Sequence, residues 1–105
     1  MIEEWVKHPS LNYYISSYGR VKNSKGLIMK QHICNGYKRI KLVKDGIKKN
    51  YYVHRLVAET FIPKLHVDYV VHHIDHDKLN NWVHNLEWCH YQTNLLYERE
   101  NLFNE

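Results

Sequence analysis

Asp45-Gly46 divides two runs of β-forming residues, Gly36–Lys44 and Ile47–His54. A two-residue Asp-Gly connection is the strongest short-range signal for a tight hairpin, because both turn residues must adopt positive φ. Such a turn also fixes the register. It pairs Lys44 with Ile47, and therefore Ile40 with Tyr51 and Arg39 with Tyr52. One face then carries Lys38, Ile40, Leu42, Lys49, Tyr51 and Val53, with an apolar centre suited to a core. The other carries Tyr37, Arg39, Lys41, Val43, Lys48, Asn50 and Tyr52. That second face is cationic with interleaved tyrosines. It reads either as a solvated face whose lysines block edge pairing or as a surface for phosphates and a groove.

The distribution of charge favours the second reading. Arg20 to Arg55 holds eleven basic residues (Arg20, Lys22, Lys25, Lys30, Lys38, Arg39, Lys41, Lys44, Lys48, Lys49 and Arg55) against the single acid Asp45. That segment carries +10 and the remainder −6, although the whole chain is only +4. A basic half beside an acidic half suggests that one part grips a polyanion while the other does something else.

The 105 residues suffice for one domain with one modest core. No apolar run is long enough for a membrane span. The N-terminus MIEEWVKHPS lacks the apolar stretch of a secretory signal. Cys34 and Cys89 do not form a CxxC pair, which excludes a four-thiolate zinc site and disfavours a disulfide framework. An intracellular, cytoplasmic location follows as the expectation.

Upstream of the hairpin, residues 1–11 read as a lead-in with Trp5 folded back on the core. Tyr13–Ser16, Arg20–Lys22 and Leu27–Met29 read as short strands separated by turns at Ser17-Tyr18-Gly19 and Asn23–Gly26. Downstream, Val53, Leu56, Val57 and Phe61 have helical spacing, so His54–Ile62 is expected to be a short helix stopped by Pro63. Arg55 and Glu59, four apart, can pair on its surface.

Val70 to Asn94 concentrates five of the nine histidines (His72, His73, His76, His84, His90) with four asparagines and three acids. Packing alone seldom collects so many polar groups, since each needs a partner near a core. Tyr69–His72 is β-like, 74–83 loop-like, and Leu86–Trp88 a return strand. A helix is expected from about His90 to Asn101, with Tyr91, Asn94, Leu95, Glu98 and Leu102 on one stripe.

Strand, loop, strand and helix, with His72-His73 ending the first strand and Asn94 on the helix, resembles the HNH nucleases of the ββα-metal fold. The words match as well. His72-His73-Ile74-Asp75-His76-Asp77-Lys78-Leu79-Asn80-Asn81, then Asn85-Leu86-Glu87-Trp88, then Asn94 follow the pattern of members found in phages and mobile introns. Trp5, Tyr14-Ile15-Ser16 and Gly19-Arg20-Val21 look like the N-terminal motif that often precedes them, and His54-Arg55-Leu56-Val57-Ala58 matches the helix before the HNH segment.

The resemblance implies a small α+β fold: one domain over 1–105, with a basic, antiparallel β-rich, DNA-contacting part (1–64) and a ββα-metal catalytic part (65–105). It implies a metal-dependent DNA endonuclease leaving 5′-phosphate and 3′-hydroxyl ends. His73 would be the general base, since an imidazole titrates near neutrality. Asn85 would brace the loop and orient it. His72 and Asn94 would hold one divalent metal. Arg20, Tyr37, Arg39, Lys41, Lys48, Tyr52 and Arg55 would contact DNA. One such site cuts one strand, so a monomer would nick and a double-strand break would need a homodimer or a second event. The chain ends at Glu105 without the C-terminal DNA-reading modules of larger homing enzymes, from which loose sequence preference, short sites or dimerisation would follow.

The chain departs from the pattern at three places. His72 stands where Asn or Asp is usual, and a nitrogen ligand favours Mn, Ni or Zn over Mg. His76 replaces a Gly, and His90 a Thr. His90 is a third ligand, a phosphate donor or an exposed residue at the helix start; His76 and His84 read as solvated loop residues, and Trp82 and Trp88 as anchors. Two other classes compete. One is a DNA-binding module without catalysis, which loss of His72, His73, Asn85 or Asn94 would have favoured. The other is a structural zinc protein, for which paired ligand spacing is lacking.

Overall fold

The computed structural model describes residues 2–90. Asn94 and nearly all of the helix expected from His90 lie outside the described residues.

Among the described residues, eight strands and one α-helix form three antiparallel sheets arranged about the helix. The first joins β1 (Trp5–Lys7), β2 (Tyr13–Ser16) and β3 (Val21–Asn23) in chain order. β1 replaces the expected irregular lead-in. Trp5 pairs with Ser16 across the ladder and carries Lys22 over its ring at 4.3 Å, so it is a cation platform on the sheet rather than a core anchor. The strand expected at Leu27–Met29 shrinks to one bridge, Lys22 with Ile28. Leu27 and Ile28 stay exposed, and burial is what would have rewarded a longer strand.

The second sheet holds β4 (His32–Cys34), β5 (Tyr37–Lys44) and β6 (Ile47–Tyr52). Asp45 and Gly46 take φ of 53° and 78°, and the register pairs Lys44 with Ile47, Ile40 with Tyr51 and Arg39 with Tyr52, as the turn chemistry requires. The apolar face points inward: Ile40 and Leu42 are fully buried while Lys41, Val43 and Lys48 are exposed.

β6 runs directly into α1 (Val53–Phe61), one residue earlier than expected. The helix has no side-chain N-cap, and the Ile62 N–H closes its end on the Ala58 carbonyl before Pro63. Its inner face, Val53, Leu56 and Val57, meets Leu11, Ile15 and Val21 from the first sheet and its β1–β2 connection, Ile40 and Leu42 from the second, and Leu86 from the third. One hydrophobic core therefore joins all three sheets, and burying those side chains is the main stabilising term.

The third sheet pairs β7 (Tyr69–His73) with β8 (Leu86–His90). A loop and a short 3₁₀ turn, Val83–Asn85, connect them. β8 runs two residues past the expected Trp88, so His90 is an exposed strand residue opposite Tyr69 rather than the start of a helix. Trp88 anchors the sheet by donating its indole N–H to the Ile62 carbonyl at 2.9 Å.

Candidate active site

The loop from Ile74 to Asn85 is held by its own side chains. Asp75 is the hub. One carboxylate oxygen accepts from the Asp77 N–H (2.8 Å) and the Asn85 amide (2.9 Å), and the other from the Asn80 amide (2.8 Å). The Asn80 hydrogen bond, then those from Asp77 and Asn85, hold its carboxyl down at about 2. Asn85 closes the loop from the far side. Its side-chain oxygen accepts from the Asp75 N–H, its amide donates to the Asn80 carbonyl, and its own carbonyl accepts from the Ile74 N–H. These polar connections are all local, which is why Asp, Asn and a short 3₁₀ turn recur here.

His76 sits in this loop at φ 63°, in the left-handed region where a Cβ is unfavourable. That explains why glycine is usual at the position. It is exposed, as a solvated loop residue would be, and its ring stands edge-on against His72 at 5.2 Å.

His72 and His73 end β7, both buried. His72 Nδ1 lies 2.9 Å from a Glu87 carboxylate oxygen across the β7–β8 ladder. A carboxylate only accepts, so Nδ1 carries the proton and, in the neutral ring, Nε2 carries the lone pair. A carboxylate behind the distal nitrogen is the usual support of a metal-ligating histidine, and His72 therefore fits a metal through Nε2. Among the described residues no three His, Cys, Asp or Glu gather around a common point. His90 stands three ladder steps from the level of His72, roughly 10 Å along the strand.

His73 Nε2 lies 2.8 Å from the buried Asn81 side-chain oxygen. Burial lowers its pKa, against the opposing effects of the Asn81 hydrogen bond and the Asp75 carboxylate. The imidazole is therefore neutral and able to accept a proton at neutral pH. Beside it, His54 of α1 packs edge-on at 5.1 Å. Burial first, then the neighbouring His73 and Arg55, push His54 down to about 3.

The same two histidines receive the foot of the hairpin. Tyr37 lies 5.1 Å from His54 and 6.2 Å from His73, and Tyr52 lies 5.4 Å from His54. The Arg39 and Arg55 guanidinium groups stand over Tyr52 at 5.4 and 5.2 Å. Lys41 and Lys48 continue the same face toward the hairpin tip. Six of the seven residues expected to contact DNA thus form one strip that ends at His73. Arg20 is apart from it: Glu3 binds its guanidinium through two oxygens, and the group stands over Trp5 at 5.4 Å.

Four neighbours of the site were not singled out from the sequence: His54, Lys78, Asn81 and Glu87. Each lies in a word that carried the resemblance, but its importance comes from packing across elements. Lys78 reaches from the loop to stand over Tyr37 at 4.9 Å, tying the loop to the hairpin.

Residues 51–96 match a family model described as HNH endonuclease, and residues 2–43 match the NUMOD4 motif. The chain belongs to the HNH endonuclease family. It is 43% identical over 96 residues to an uncharacterized HNH endonuclease of Acanthamoeba polyphaga mimivirus, matching 90% of this chain and 29% of that protein. It is 38% identical over 96 residues to the DNA endonuclease I-HmuI of Bacillus phage SP01, matching 88% of this chain and 55% of that one. The solved structure of I-HmuI, described as DNA binding and cleavage by an HNH homing endonuclease, superposes with a TM-score of 0.85 at 35% identity, covering 93% of this chain and 59% of its own. The chain thus spans from under a third to about half of these curated relatives. Its mostly stranded α+β architecture, with one described helix, is shared with the part of that neighbour on which it superposes. Among the described residues no helix is long and apolar enough to cross a membrane.

Proposed function

We propose that this HNH family member is a metal-dependent DNA endonuclease acting in the cytoplasm of its host cell. The observation that carries the reading is the cationic, tyrosine-lined strip of β5, β6 and the start of α1 ending on the neutral His73. Residues 1–64 grip the duplex and residues 65–105 complete the ββα-metal catalytic part, the two working as one domain.

Arg39, Lys41, Lys48 and Arg55 bind successive phosphates, with Tyr37 and Tyr52 packing beside them. Arg20 joins by exchanging Glu3 for a phosphate. A phosphodiester is thereby brought against the loop and against His73. His73 accepts a proton from the attacking water, and the closed hydrogen-bond circuit of Asp75, Asn80 and Asn85 keeps the loop from moving as it does so. His72, steadied by Glu87, and Asn94 would hold the divalent ion. When bound, that ion stabilises negative charge on the phosphate and on the departing 3′-oxygen. The products carry 5′-phosphate and 3′-hydroxyl ends. A monomer nicks; a homodimer breaks both strands. The nitrogen donor of His72 favours Mn, Ni or Zn, with Mg also a candidate.

Supercoiled plasmid incubated with Mg, Mn, Ni or Zn in turn tests this, with His73→Ala beside wild type. Open circles from wild type alone are expected, and linear product would indicate a dimer. Equal cutting by both proteins would remove His73 from the base role. DNA binding without cutting under any metal would make the chain a non-catalytic binding module.

A further inference from the structure

The hydrogen bond that fixes His73 comes from Asn81, and Asn81 is itself held from a distant part of the chain. Asn81 is 3% exposed. The turn Ser17-Tyr18-Gly19, between β2 and β3 of the N-terminal motif, presses on residues 81–83 at three points. Gly19 (φ 86°) lies so close that a Cβ there would stand 3.0 Å from both the Cβ and the carbonyl oxygen of Asn81. Tyr18 stacks on Trp82 with ring centres 4.5 Å apart and planes 16° from parallel. The Val83 N–H donates to the Ser17 carbonyl at 2.9 Å.

The turn is not a loose pad. The buried Ser16 hydroxyl accepts from the N–H groups of Tyr18 (3.1 Å) and Arg20 (2.9 Å). The Ser17 hydroxyl accepts from the Glu4 N–H at 2.9 Å, tying the turn to the chain just before β1. Gln31 donates to the Gly19 carbonyl at 2.8 Å. A rigid turn therefore sets where Asn81 stands, and Asn81 sets the ring of His73.

We propose that Asn81 is a positioning residue for His73, and that the Ser17-Tyr18-Gly19 turn holds Asn81 in place. The inference rests on His73 being the proton acceptor of the proposed reaction. An amide oxygen on Nε2 puts the proton of the neutral ring on that nitrogen. It leaves the Nδ1 lone pair to take a proton from water, and it fixes the plane in which that lone pair points. The N-terminal motif thus acts on the chemical step as well as on DNA. Its contribution is steric: a glycine narrow enough, and a tyrosine flat enough, to seat the loop.

The decisive measurement uses the metal-free full chain labelled with 15N-histidine at a pH where its imidazoles are neutral. Two-bond 1H–15N correlation spectra give the tautomer of His73, with His73→Ala assigning its signals. The expected result is the proton on Nε2. A proton on Nδ1 in the wild-type protein overturns the proposal without any variant. Asn81→Leu removes the acceptor while keeping the branch at Cγ, and Asn81→Asp keeps the acceptor. Asn81→Leu is expected to lose the Nε2–H preference and to lower the kcat for plasmid nicking roughly 10–100-fold, with KM within about twofold. Asn81→Asp is expected to restore the tautomer and most of kcat. Gly19→Ala is expected to follow Asn81→Leu in both readouts. The added methyl would press on Asn81, whose atoms are its three nearest neighbours, and the positive φ of the turn would add backbone strain of its own. An Asn81→Leu protein with unchanged tautomer and unchanged kcat would overturn the proposal. If His73→Ala instead nicks as fast as wild type, the base assignment falls, while the tautomer result still reports on Asn81.

Discussion

His76 shows how a single residue can cost stability where the loop geometry is fixed. Its φ of 63° would suit glycine, yet it carries a full imidazole against His72. His76→Gly is expected to stabilise the fold by roughly 0.5–1 kcal/mol, read as a higher urea midpoint at unchanged slope, because relief of the left-handed strain outweighs the extra freedom of the unfolded glycine. An unchanged or lower midpoint would show that the ring packing on His72 compensates for the strain. At this scale the sequence was legible in part. His72, His73 and Asn85 stood out as residue types in a recognisable order, and they gather at one end of β7 and in its loop. Asn81 did not stand out, because an asparagine in a polar loop looks the same whether it faces water or a buried imidazole. Glu87 was hidden for the same reason, as its partner His72 is its neighbour only across the ladder.

Among the elements, the hairpin was the most legible, since Asp45-Gly46 fixes both the turn and the register, and the register decides which side chains are buried. Asn35-Gly36, with φ of 54° and 83°, carries the same turn signal. It was harder to use because the strand before it, β4, has only three residues and no clean alternation. β1 is equally short and pairs with β2 across an irregular connection that announces no register. The exposed hairpin face offers a test that leaves the core alone. Lys41→Gln with Lys48→Gln is expected to lower the slope of log K against log salt for DNA binding by about 2, one for each phosphate no longer neutralised, with little change in folding. A slope equal to wild type would mean that the outer half of the strip is only a solvated face.

In the whole molecule, the buried His54 links the site to acid stability. Its pKa falls from 6.5 to about 3 on folding, through burial above all. As pH drops, the unfolded chain therefore takes up this proton first. The contribution is complete above about pH 6.5 and is lost at up to roughly 1.4 kcal/mol per pH unit as the pH falls toward 3. His73, also lowered by burial, adds in the same direction. His54→Phe is expected to flatten the acid side of the stability profile measured by urea unfolding between about pH 7 and pH 4, over a window set by these shifts. Parallel profiles for the two proteins would rule out His54 as the source.

The NUMOD4 match ends at residue 43 and the HNH match begins at residue 51, so the boundary between the two falls within the β5–β6 hairpin. A cut there would not part a handle from a tool. It would divide two strands that share a ladder, a buried face and a turn of two residues. What reads as two words in the sequence is one folding unit in space, and neither word is expected to hold its shape when expressed alone.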